Sequence, residues 1–291
     1  MFQYYFQIVD LIICIQSPFL FNDFYELNEF QIQHVQDVKA DIVYKLQILP
    51  EDWKIQGKLI QNIRKSCIYE YEEEYHRYFF WNVHTDKKYI LLTHAKNDFR
   101  QFNLYIQKES IRELLREFHF PPLMSMEQVL LQYDTFQLHA SVIEWNGNGI
   151  LFTAPSGTGK STQADLWREY ENATIVNGDK SMIRKKGNHY FVYGSPYAGT
   201  SGIYTNISVP IRAIVLLSQA PENKIERLNG MDAFTKIYKE STVSSWDQEY
   251  VLKFTSLLIE LIQKIPVFHL ACRPDVDAVN LLKETLLTES L

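Results

Sequence analysis

The stretch ILFTAPSGTGKST, residues 150–162, decides which fold class the chain is expected to adopt. Its apolar start, ILFTA, predicts a buried strand, and the residues from Lys160 to Tyr170 predict an amphipathic helix. In the turn between them, Gly157 and Gly159 allow the backbone N–H groups to point inward with no side chain in the way. A strand, a glycine-rich turn and a helix in this order predict a loop that binds phosphate groups.

This loop carries the residues expected to contact a nucleotide, with alanine at the first position of the motif. They are Ala154, Pro155, Ser156, Gly157, Thr158, Gly159, Lys160, Ser161 and Thr162. Lys160 is expected to reach the β- and γ-phosphates and Ser161 to offer its hydroxyl to Mg²⁺, at the positive N-terminal end of the helix. ATP and Mg²⁺ are therefore the predicted cofactors. The alternative is a strand-to-helix turn of chance composition, and a lone glycine motif without the preceding strand and the following amphipathic helix would leave it open.

If the bound ATP donates its phosphate to a hydroxyl, as in a kinase, the protein needs an acid that holds the metal or takes the proton of that hydroxyl. Asp179 follows the apolar strand TIVN and is the only acidic residue between Glu171 and Glu222. We therefore predict that Asp179 is the catalytic proton acceptor and, together with Ser161, a metal ligand. The alternative is a structural turn aspartate after Asn-Gly.

Three further features are candidates for the site. His139 opens the strand before the loop, where a histidine is either structural or catalytic. Arg273, just before Pro274, reaches a transferring phosphate in one interpretation and caps a helix in the other. Gly194–Asn206 is dense in Gly, Ser and Thr, and it is either a second anion-binding or acceptor loop or a flexible connection.

The composition is that of a folded chain with two domains or one large one. Of the 291 residues, 46% are hydrophobic and 22% charged, and the net charge of -6 argues against nucleic acid as a partner. No run approaches the ~18 apolar residues of a membrane span, so no membrane is expected. Three scattered cysteines indicate reduced thiols in a cytoplasmic protein. The apolar start of the chain is interrupted by Gln7 and Asp10, which predicts a strand rather than a signal peptide.

The pattern changes along the chain, and we place the domain boundary at 118/119. Residues 1–118 are predicted to be β-rich, and residues 38–48 alternate as a half-buried strand should. Residues 69–81 place tyrosines on one face of a predicted strand and glutamates on the other. A short helix is predicted over residues 110–120.

Residues 119–291 predict an α/β domain, because strands alternate with helices. Asn146 and Gly147 predict a hairpin turn, since both tolerate positive φ. After the loop, TIVN, YFVYG, RAIVLLS and VFHLA predict strands. The sequences DQEYVLKFTSLLIELIQK and PDVDAVNLLKETLL predict helices on either side of the last strand.

Several of these features occur together in one known family. His139-Ala-Ser-Val, the strand–turn–strand SVIEWNGNGIL, the Ser-Gly-Thr-Gly-Lys-Ser loop and Asp179 together resemble the HPr kinase/phosphorylase family. Its P-loop relatives include kinases that tailor ribosomal peptides and, more distantly, ATP-dependent phosphoenolpyruvate carboxykinase. The resemblance covers roughly the C-terminal half and implies a P-loop kinase domain over 119–291 that phosphorylates a serine of a peptide or small protein. It implies site roles for His139, Lys160, Ser161 and Asp179.

The chain departs from that family at three places. Gly178 stands where the family has the first of two paired aspartates, and Thr162 stands where it has a glutamate. Gly194–Asn206 contains no glutamate that could serve as the family's further metal ligand. We therefore expect a one-way kinase, without phosphate-driven removal of the phosphate from its product.

Other functions remain open from the sequence. The acceptor is a peptide, a small protein or a small-molecule hydroxyl. A carboxykinase-like activity is disfavoured, because the sequence shows no additional set of metal ligands around the loop. A regulatory protein that binds nucleotide without phosphotransfer is the alternative from another class. Residues 1–118 carry no catalytic constellation and are predicted to recognise the acceptor. The sequence does not reveal the oligomeric state, and a homo-oligomer is possible.

Overall fold

The computed structural model describes residues 1–33, 38–63, 65–82, 88–111 and 120–289. The chain divides into two compact units, Met1–Val129 and Leu130–Leu291. This division lies later in the chain than the boundary expected at 118/119. Most of the helix predicted over 110–120 lies outside the described residues.

The first unit is built on one sheet whose strands are joined in the order β1-β2-β3-β8-β7-β6-β5-β4. These strands are β1 (Phe2–Ile8), β2 (Leu11–Ser17), β3 (Ile42–Ile48), β4 (Lys58–Ile63), β5 (Ser66–Tyr71), β6 (Glu74–Asn82), β7 (Lys88–Ala95) and β8 (Gln101–Ile106). Alternation along β3 buries Ile42, Tyr44 and Leu46, as predicted. Ile48, which was expected on the same face, is 47% exposed at the end of the strand.

The stretch predicted as one strand over 69–81 is a hairpin, so that prediction is wrong. β5 ends at Tyr71, β6 begins at Glu74, and these two residues are cross-strand partners. Glu72 takes a positive φ of 50° in the turn, a conformation that non-glycine residues rarely adopt. The start of the chain is likewise two strands, β1 and β2, which are joined at Val9 and Asp10 with φ of 53° and 59°.

The second unit combines a sheet with helices. Its strands are β9 (Thr135–Trp145), β10 (Asn148–Thr153), β11 (Thr174–Asn177), β12 (Lys180–Lys186), β13 (His189–Tyr193), β14 (Ser208–Gln219), β15 (Lys224–Leu228) and β16 (Val267–Cys272). The helices from Met126 onward are α1 (Met126–Leu131), α2 (Lys160–Glu171), α3 (Gly230–Glu240), α4 (Gln248–Lys264) and α5 (Val276–Thr288). The chain is thus a mixed α/β protein with two large sheets.

Three parallel strands lie side by side in the second sheet, whose order is β10-β9-β12-β13-β14-β16-β15 with β11 beside β9. β10 also pairs in parallel with β14, and β14 pairs in parallel with β16. The carboxyl ends of these strands therefore meet at one edge, which is where ligands bind in α/β sheets. β9 and β10 form the predicted hairpin, with Asn146 and Gly147 at φ of 50° and 77°.

Helices cover both faces of these strands. Ile150 and Phe152 of β10 pack in one buried cluster with Trp167 of α2. Leu151 packs in another buried cluster with Phe254 of α4. Because β10 is buried on both sides, its sequence is an unbroken apolar run. Trp167 is fully buried, and replacing such a core tryptophan by alanine costs roughly 3–5 kcal/mol.

The strands and helices predicted for this unit are present, and three unpredicted elements join them, namely β12, β15 and α3. All three cysteines of the chain are free and buried. None of the described helices has the length and apolar character that a membrane span requires.

Candidate functional site

The glycine-rich loop, Ala154–Gly159, joins the carboxyl end of β10 to the first residue of α2. Gly157 and Gly159 have φ of 81° and 117°, values that only glycine adopts without strain. No described atom lies within 4 Å of where a Cβ would be at either glycine, so both positions border open space. No described side chain caps the start of α2, and its first N–H groups are available to an anion.

Lys160, the first residue of α2, folds back over this loop. Its side chain is buried, and Nζ donates to the carbonyl oxygen of Ala154 at 2.9 Å and to that of Pro155 at 3.5 Å. Burial lowers the pKa of the Lys160 ammonium, while the charges of Glu240 and Asp179 act in the opposite direction. The buried cation therefore lies within electrostatic reach of two carboxylates that are distant in the sequence.

Asp179 lies in the turn between β11 and β12 and is paired with His139 of β9. Nε2 of His139 lies 3.1 Å from Oδ1 of Asp179. The hydrogen bond from His139 holds the pKa of Asp179 below its ordinary value, while burial acts in the opposite direction. The backbone fixes the pair, since Ala140 donates its N–H to the Asp179 carbonyl at 2.7 Å and Lys180 is the strand partner of His139.

Glu240, which sequence reasoning missed, completes this group. Its Oε2 lies 3.4 Å from Nδ1 of His139, so the imidazole lies between two carboxylates. The chain after α3 runs beside β9: Ser241 forms a bridge with Leu138, and Thr242 donates its N–H to Gln137 at 3.0 Å. No sequence signal pointed to Glu240, because α3 itself was not predicted and the contact with His139 depends on the pairing that follows this helix.

The loop Gly194–Asn206 lies against Asp179 and is held by hydrogen bonds. Asn177 donates to the Ser195 carbonyl at 3.0 Å, and Thr205 donates to the Val176 carbonyl at 2.8 Å. A Cβ at Gly199 would lie 2.7 Å from Cβ and from Cγ of Asp179. The loop is therefore a fitted wall of the site, and only glycine at position 199 leaves room for the carboxylate.

The other predicted residues lie around the loop. Ser161 and Thr162 are exposed in the first turn of α2, and Ser161 lines a cavity of about 250 Å³ with Asp165 and Gly178. Arg273 lines a different cavity, at the carboxyl end of β16, and its Nε pairs with Asp275 at 2.8 Å. The structure thus groups His139, Lys160 and Asp179 with Glu240, and places Arg273 in another set of contacts.

No three His, Cys, Asp or Glu side chains in the described ranges are arranged to hold a metal ion by themselves. Mg²⁺ does not need such a cage, because it keeps several waters and binds through one or two protein ligands together with substrate phosphates. The exposed hydroxyl of Ser161 and the ionised carboxylate of Asp179 fit a metal that arrives with a nucleotide.

Comparison with protein families gives a match to the second unit of the chain. A family model described as SynChlorMet cassette protein ScmC matches residues 119–275, more than half of the chain. That range contains the glycine-rich loop, His139, Asp179, Glu240 and Arg273. Comparison with curated proteins finds no match. The solved HPr(Ser) kinase/phosphatase from Coxiella burnetii is 14% identical to this chain, and the comparison covers 52% of this chain and 93% of that chain. Its TM-score of 0.30 is too low to show a common fold.

Proposed function

The chain belongs to the SynChlorMet cassette protein ScmC family, and from the geometry of its glycine-rich loop we propose that it transfers the γ-phosphate of Mg·ATP to a hydroxyl group. A serine of a peptide or small protein is the preferred acceptor. One observation carries the proposal: the buried ammonium of Lys160 contacts the glycine-rich loop within electrostatic reach of Asp179. The ammonium of Lys160, which would bind phosphate oxygens, therefore lies near Asp179, which would accept the proton of the acceptor hydroxyl.

Phosphate binding in this proposal uses main-chain N–H groups and the ammonium of Lys160. The N–H groups at the start of α2 and in the glycine-rich loop donate to phosphate oxygens. Lys160 exchanges its contacts with the carbonyls of Ala154 and Pro155 for the β- and γ-phosphates. This exchange is favourable, because phosphate oxygens carry negative charge and carbonyl oxygens do not, so the ammonium is attracted more strongly to the phosphates.

In the transfer step, the acceptor oxygen bonds to the γ-phosphorus while the bond from that phosphorus to the β–γ bridging oxygen breaks, and ADP leaves. Asp179 takes the proton of the acceptor hydroxyl, and it is ionised at neutral pH, since its pKa lies below the already low value of an ordinary aspartate. A carboxylate of low pKa is a weak base. It suffices here because phosphoryl transfer depends more on positioning and charge than on base strength.

Metal binding is assigned to two residues of this chain, Ser161 and Asp179. Mg²⁺, when bound with the nucleotide, supplies positive charge to the γ-phosphate. Because Asp179 then serves both as ligand and as proton acceptor, its loss affects Mg²⁺ dependence as well as rate. A role of Arg273 at the transferred phosphate stays a prediction from the sequence: its Nε pairs with Asp275, and the residue lines a cavity together with Gly157–Gly159 of the glycine-rich loop.

The acceptor is proposed to be a peptide or small protein encoded beside this chain, because the family is described as a cassette protein. Residues 1–118 are proposed to position it. β4 ends the first sheet, and its Leu59 and Ile63 are 47% and 49% exposed. An extended peptide can add to such a strand through main-chain hydrogen bonds and side-chain contacts.

The test follows label from ATP that is radioactive at its γ-phosphate, with Mg²⁺, into peptides and small proteins encoded beside the chain. Wild type is expected to label a serine stoichiometrically. Asp179→Asn is expected to slow labelling by roughly 10²–10⁴-fold, the usual contribution of a general base, and to weaken the Mg²⁺ dependence of ATP binding. Asp232→Asn, which changes an exposed aspartate in the first turn of α3, is the control and should retain the wild-type rate.

Other outcomes separate the alternatives. Label on a small-molecule hydroxyl alone would change the acceptor class and leave the transfer chemistry in place. ATP binding with no transfer to any acceptor would contradict the proposal and indicate a nucleotide-binding regulatory protein. Equal labelling by wild type and Asp179→Asn would remove Asp179 from the mechanism.

A further inference from the structure

Three side chains on neighbouring strands of the second unit form a hydrogen-bonded series that the proposed function does not use. They are Ser218 of β14, His269 of β16 and Glu226 of β15. Oγ of Ser218 lies 2.9 Å from Nε2 of His269, and Nδ1 of the same ring lies 3.1 Å from Oε1 of Glu226. A serine, a histidine and a carboxylate in this order are the groups that activate a serine hydroxyl as a nucleophile.

The pairing of the strands brings the three side chains to one face of the sheet. His269 is the strand partner of Leu216 on one side and of Glu226 on the other. Ser218 lies two residues after Leu216 and is therefore on the same face. Leu216 is buried in the cluster that includes Phe254 of α4, whereas Ser218 and His269 are partly exposed. The serine hydroxyl can thus be reached from outside the core.

The carboxylate of Glu226 fixes which ring nitrogen of His269 carries the proton. An ionised carboxylate only accepts hydrogen bonds, so Nδ1 donates to Glu226, and Nε2 of the neutral ring is left to accept the hydroxyl proton of Ser218. The hydrogen bond from His269 lowers the pKa of Glu226, so this carboxylate is ionised at neutral pH. Ser218 is therefore placed as nucleophile and His269 as its base, and Glu226 positions the ring.

Ser218 lies beside the glycine-rich loop. In the parallel pairing of β10 with β14, Leu216 is the strand partner of Thr153. Two residues further along each strand, Ser218 therefore lies at about the level of Pro155 in the loop. Nζ of Lys160, the cation assigned to the phosphates, contacts the carbonyl oxygen of Pro155 at 3.5 Å.

The ammonium of Lys160 and the hydroxyl of Ser218 lie on the side of the sheet that α3 covers. The charge of Glu240, the last residue of α3, acts on Lys160. Ile237 of the same helix packs in the buried cluster that contains Leu216, whose face Ser218 shares. The transferred phosphate of the proposed function is thus expected on the same side as this serine.

A direct contact also ties the loop to the end of β14. Gln219, the residue after Ser218, donates from Nε2 to the carbonyl oxygen of Thr158 at 3.5 Å. The donors beside Ser218 are thus the N–H groups of the glycine-rich loop and the ammonium of Lys160, a set that suits phosphate. They offer the activated serine a phosphoryl group rather than an acyl group.

We propose that the chain phosphorylates itself on Ser218. The proposal rests on the proposed function, which supplies Mg·ATP at the glycine-rich loop. Oγ of Ser218 bonds to the γ-phosphorus while the bond from that phosphorus to the β–γ bridging oxygen breaks, and its electron pair leaves with ADP. The hydroxyl proton passes to Nε2 of His269, and Glu226 faces the imidazolium that forms. The products are phosphoserine 218 and ADP.

The experiment incubates the full chain with Mg·ATP that is radioactive at its γ-phosphate, without any added acceptor. Mass spectrometry of the digested chain then identifies the labelled residue. The variants are Ser218→Ala, His269→Gln and Glu226→Gln, and Ser256→Ala, which removes an exposed serine of α4, is the matched control. A parallel reaction contains the peptides encoded beside the chain and measures transfer to an external acceptor.

Wild type is expected to carry one phosphate, on Ser218, with a rate constant that does not depend on protein concentration, because the serine and the loop belong to one chain. Ser218→Ala should remove this label and Ser256→Ala should retain it. His269→Gln should slow self-labelling by roughly 10²–10⁴-fold, the usual contribution of a general base. Glu226→Gln should also slow self-labelling at saturating ATP. For both slowed variants, the ATP concentration that gives half the maximal rate should stay at the wild-type value.

Several results would overturn this inference. They are label confined to residues other than Ser218, and a rate constant that rises with protein concentration, which would show transfer between copies. Labelling of Ser218 at the full rate in His269→Gln would remove the histidine from the step. Mapping of the labelled residue in wild type decides the matter if Ser218→Ala does not fold. A wild type that labels an added peptide but not itself would contradict this inference alone, whereas labelling of neither would contradict the proposed function as well.

Discussion

The pair formed by His139 and Asp179 makes the stability of the protein depend on pH. The pKa of Asp179 in the folded protein is lower than the ordinary value of about 3.9 for an unfolded chain. A carboxyl group with a depressed pKa stabilises the fold at pH values above its unfolded pKa. That contribution is lost as the pH falls through the folded pKa.

We therefore predict that the free energy of unfolding of wild type exceeds that of Asp179→Asn by more at neutral pH than at about pH 3. The difference in unfolding free energy between wild type and His139→Ala should likewise be smaller at about pH 3 than at neutral pH. The reason is that the hydrogen bond from His139 is the largest cause of the low pKa of Asp179. Urea unfolding at the two pH values measures both differences. A wild-type advantage that stays constant between them would show that the pair does not lower the pKa of Asp179.

Glu240 is expected to act through His139 rather than on the acceptor, since its Oε2 lies 3.4 Å from Nδ1 of that ring. Glu240→Gln should slow phosphate transfer, because it removes the carboxylate charge that lies against the His139 ring and so disturbs the orientation of the ring toward Asp179. Glu169→Gln, on the exposed face of α2, serves as the control in the same labelling assay. Identical rates for wild type and Glu240→Gln would show that the contact does not matter for transfer.

Among the candidate site residues, the sequence indicates those whose surroundings are set by residues close to them in the chain. Lys160 follows from the motif, and Asp179 follows from its place after an apolar strand. Glu240 does not, because it reaches His139 only through the pairing of the chain after α3 with β9.

The loop Gly194–Asn206 allows a prediction at the level of one structural element, with a control in the same turn. Gly199 and Gly202 have φ of 57° and 65°, so alanine at either position costs about 1–2 kcal/mol in backbone strain. Only at Gly199 would the new Cβ contact Asp179, at 2.7 Å, because nothing lies within 4 Å of a Cβ at Gly202.

Gly199→Ala is therefore expected to slow transfer about 100-fold, the cost of a displacement of about 1 Å at a reacting group. Gly202→Ala should lose a similar amount of stability but transfer at nearly the wild-type rate. Thermal unfolding and the labelling assay, run on both variants, separate the two effects. Equal transfer by Gly199→Ala and Gly202→Ala would contradict the fitted contact with Asp179.

Strands and helices were predictable where apolar residues form a continuous run or repeat with the spacing of a helix or strand. β10 and β16 are apolar runs and α4 has a regular apolar stripe, so their sequences indicate their structures. β12, with the sequence KSMIRKK, was missed because its charged residues hide the alternation. The hairpin over 69–81 was missed because its turn contains glutamates rather than Gly, Pro or Asn, and alternation continues across it.

For the whole molecule, nucleotide chemistry is assigned to the second unit and acceptor recognition to residues 1–118. The buried clusters around β10 consist of residues from Leu131 to Leu286, so the second unit has its own core. A fragment of residues 119–291 is predicted to bind Mg·ATP as the full chain does but to lose transfer to its natural acceptor. Calorimetry verifies that the fragment folds and binds, and the labelling assay measures transfer. Full turnover of the natural acceptor by this fragment would end the assignment of residues 1–118 to acceptor recognition.

The most direct test of the central claim is the affinity of Lys160→Ala for Mg·ATP, measured by titration calorimetry beside wild type and Lys236→Ala. Lys236 is an exposed lysine of α3 and controls for the loss of one positive charge. Wild type and Lys236→Ala are expected to bind Mg·ATP with equal affinity. Lys160→Ala should bind Mg·ATP about 30-fold or more weakly, since removing one partner of a buried charge pair costs about 2–5 kcal/mol. Unchanged ATP affinity in a folded Lys160→Ala variant would show that the glycine-rich loop is not a nucleotide site.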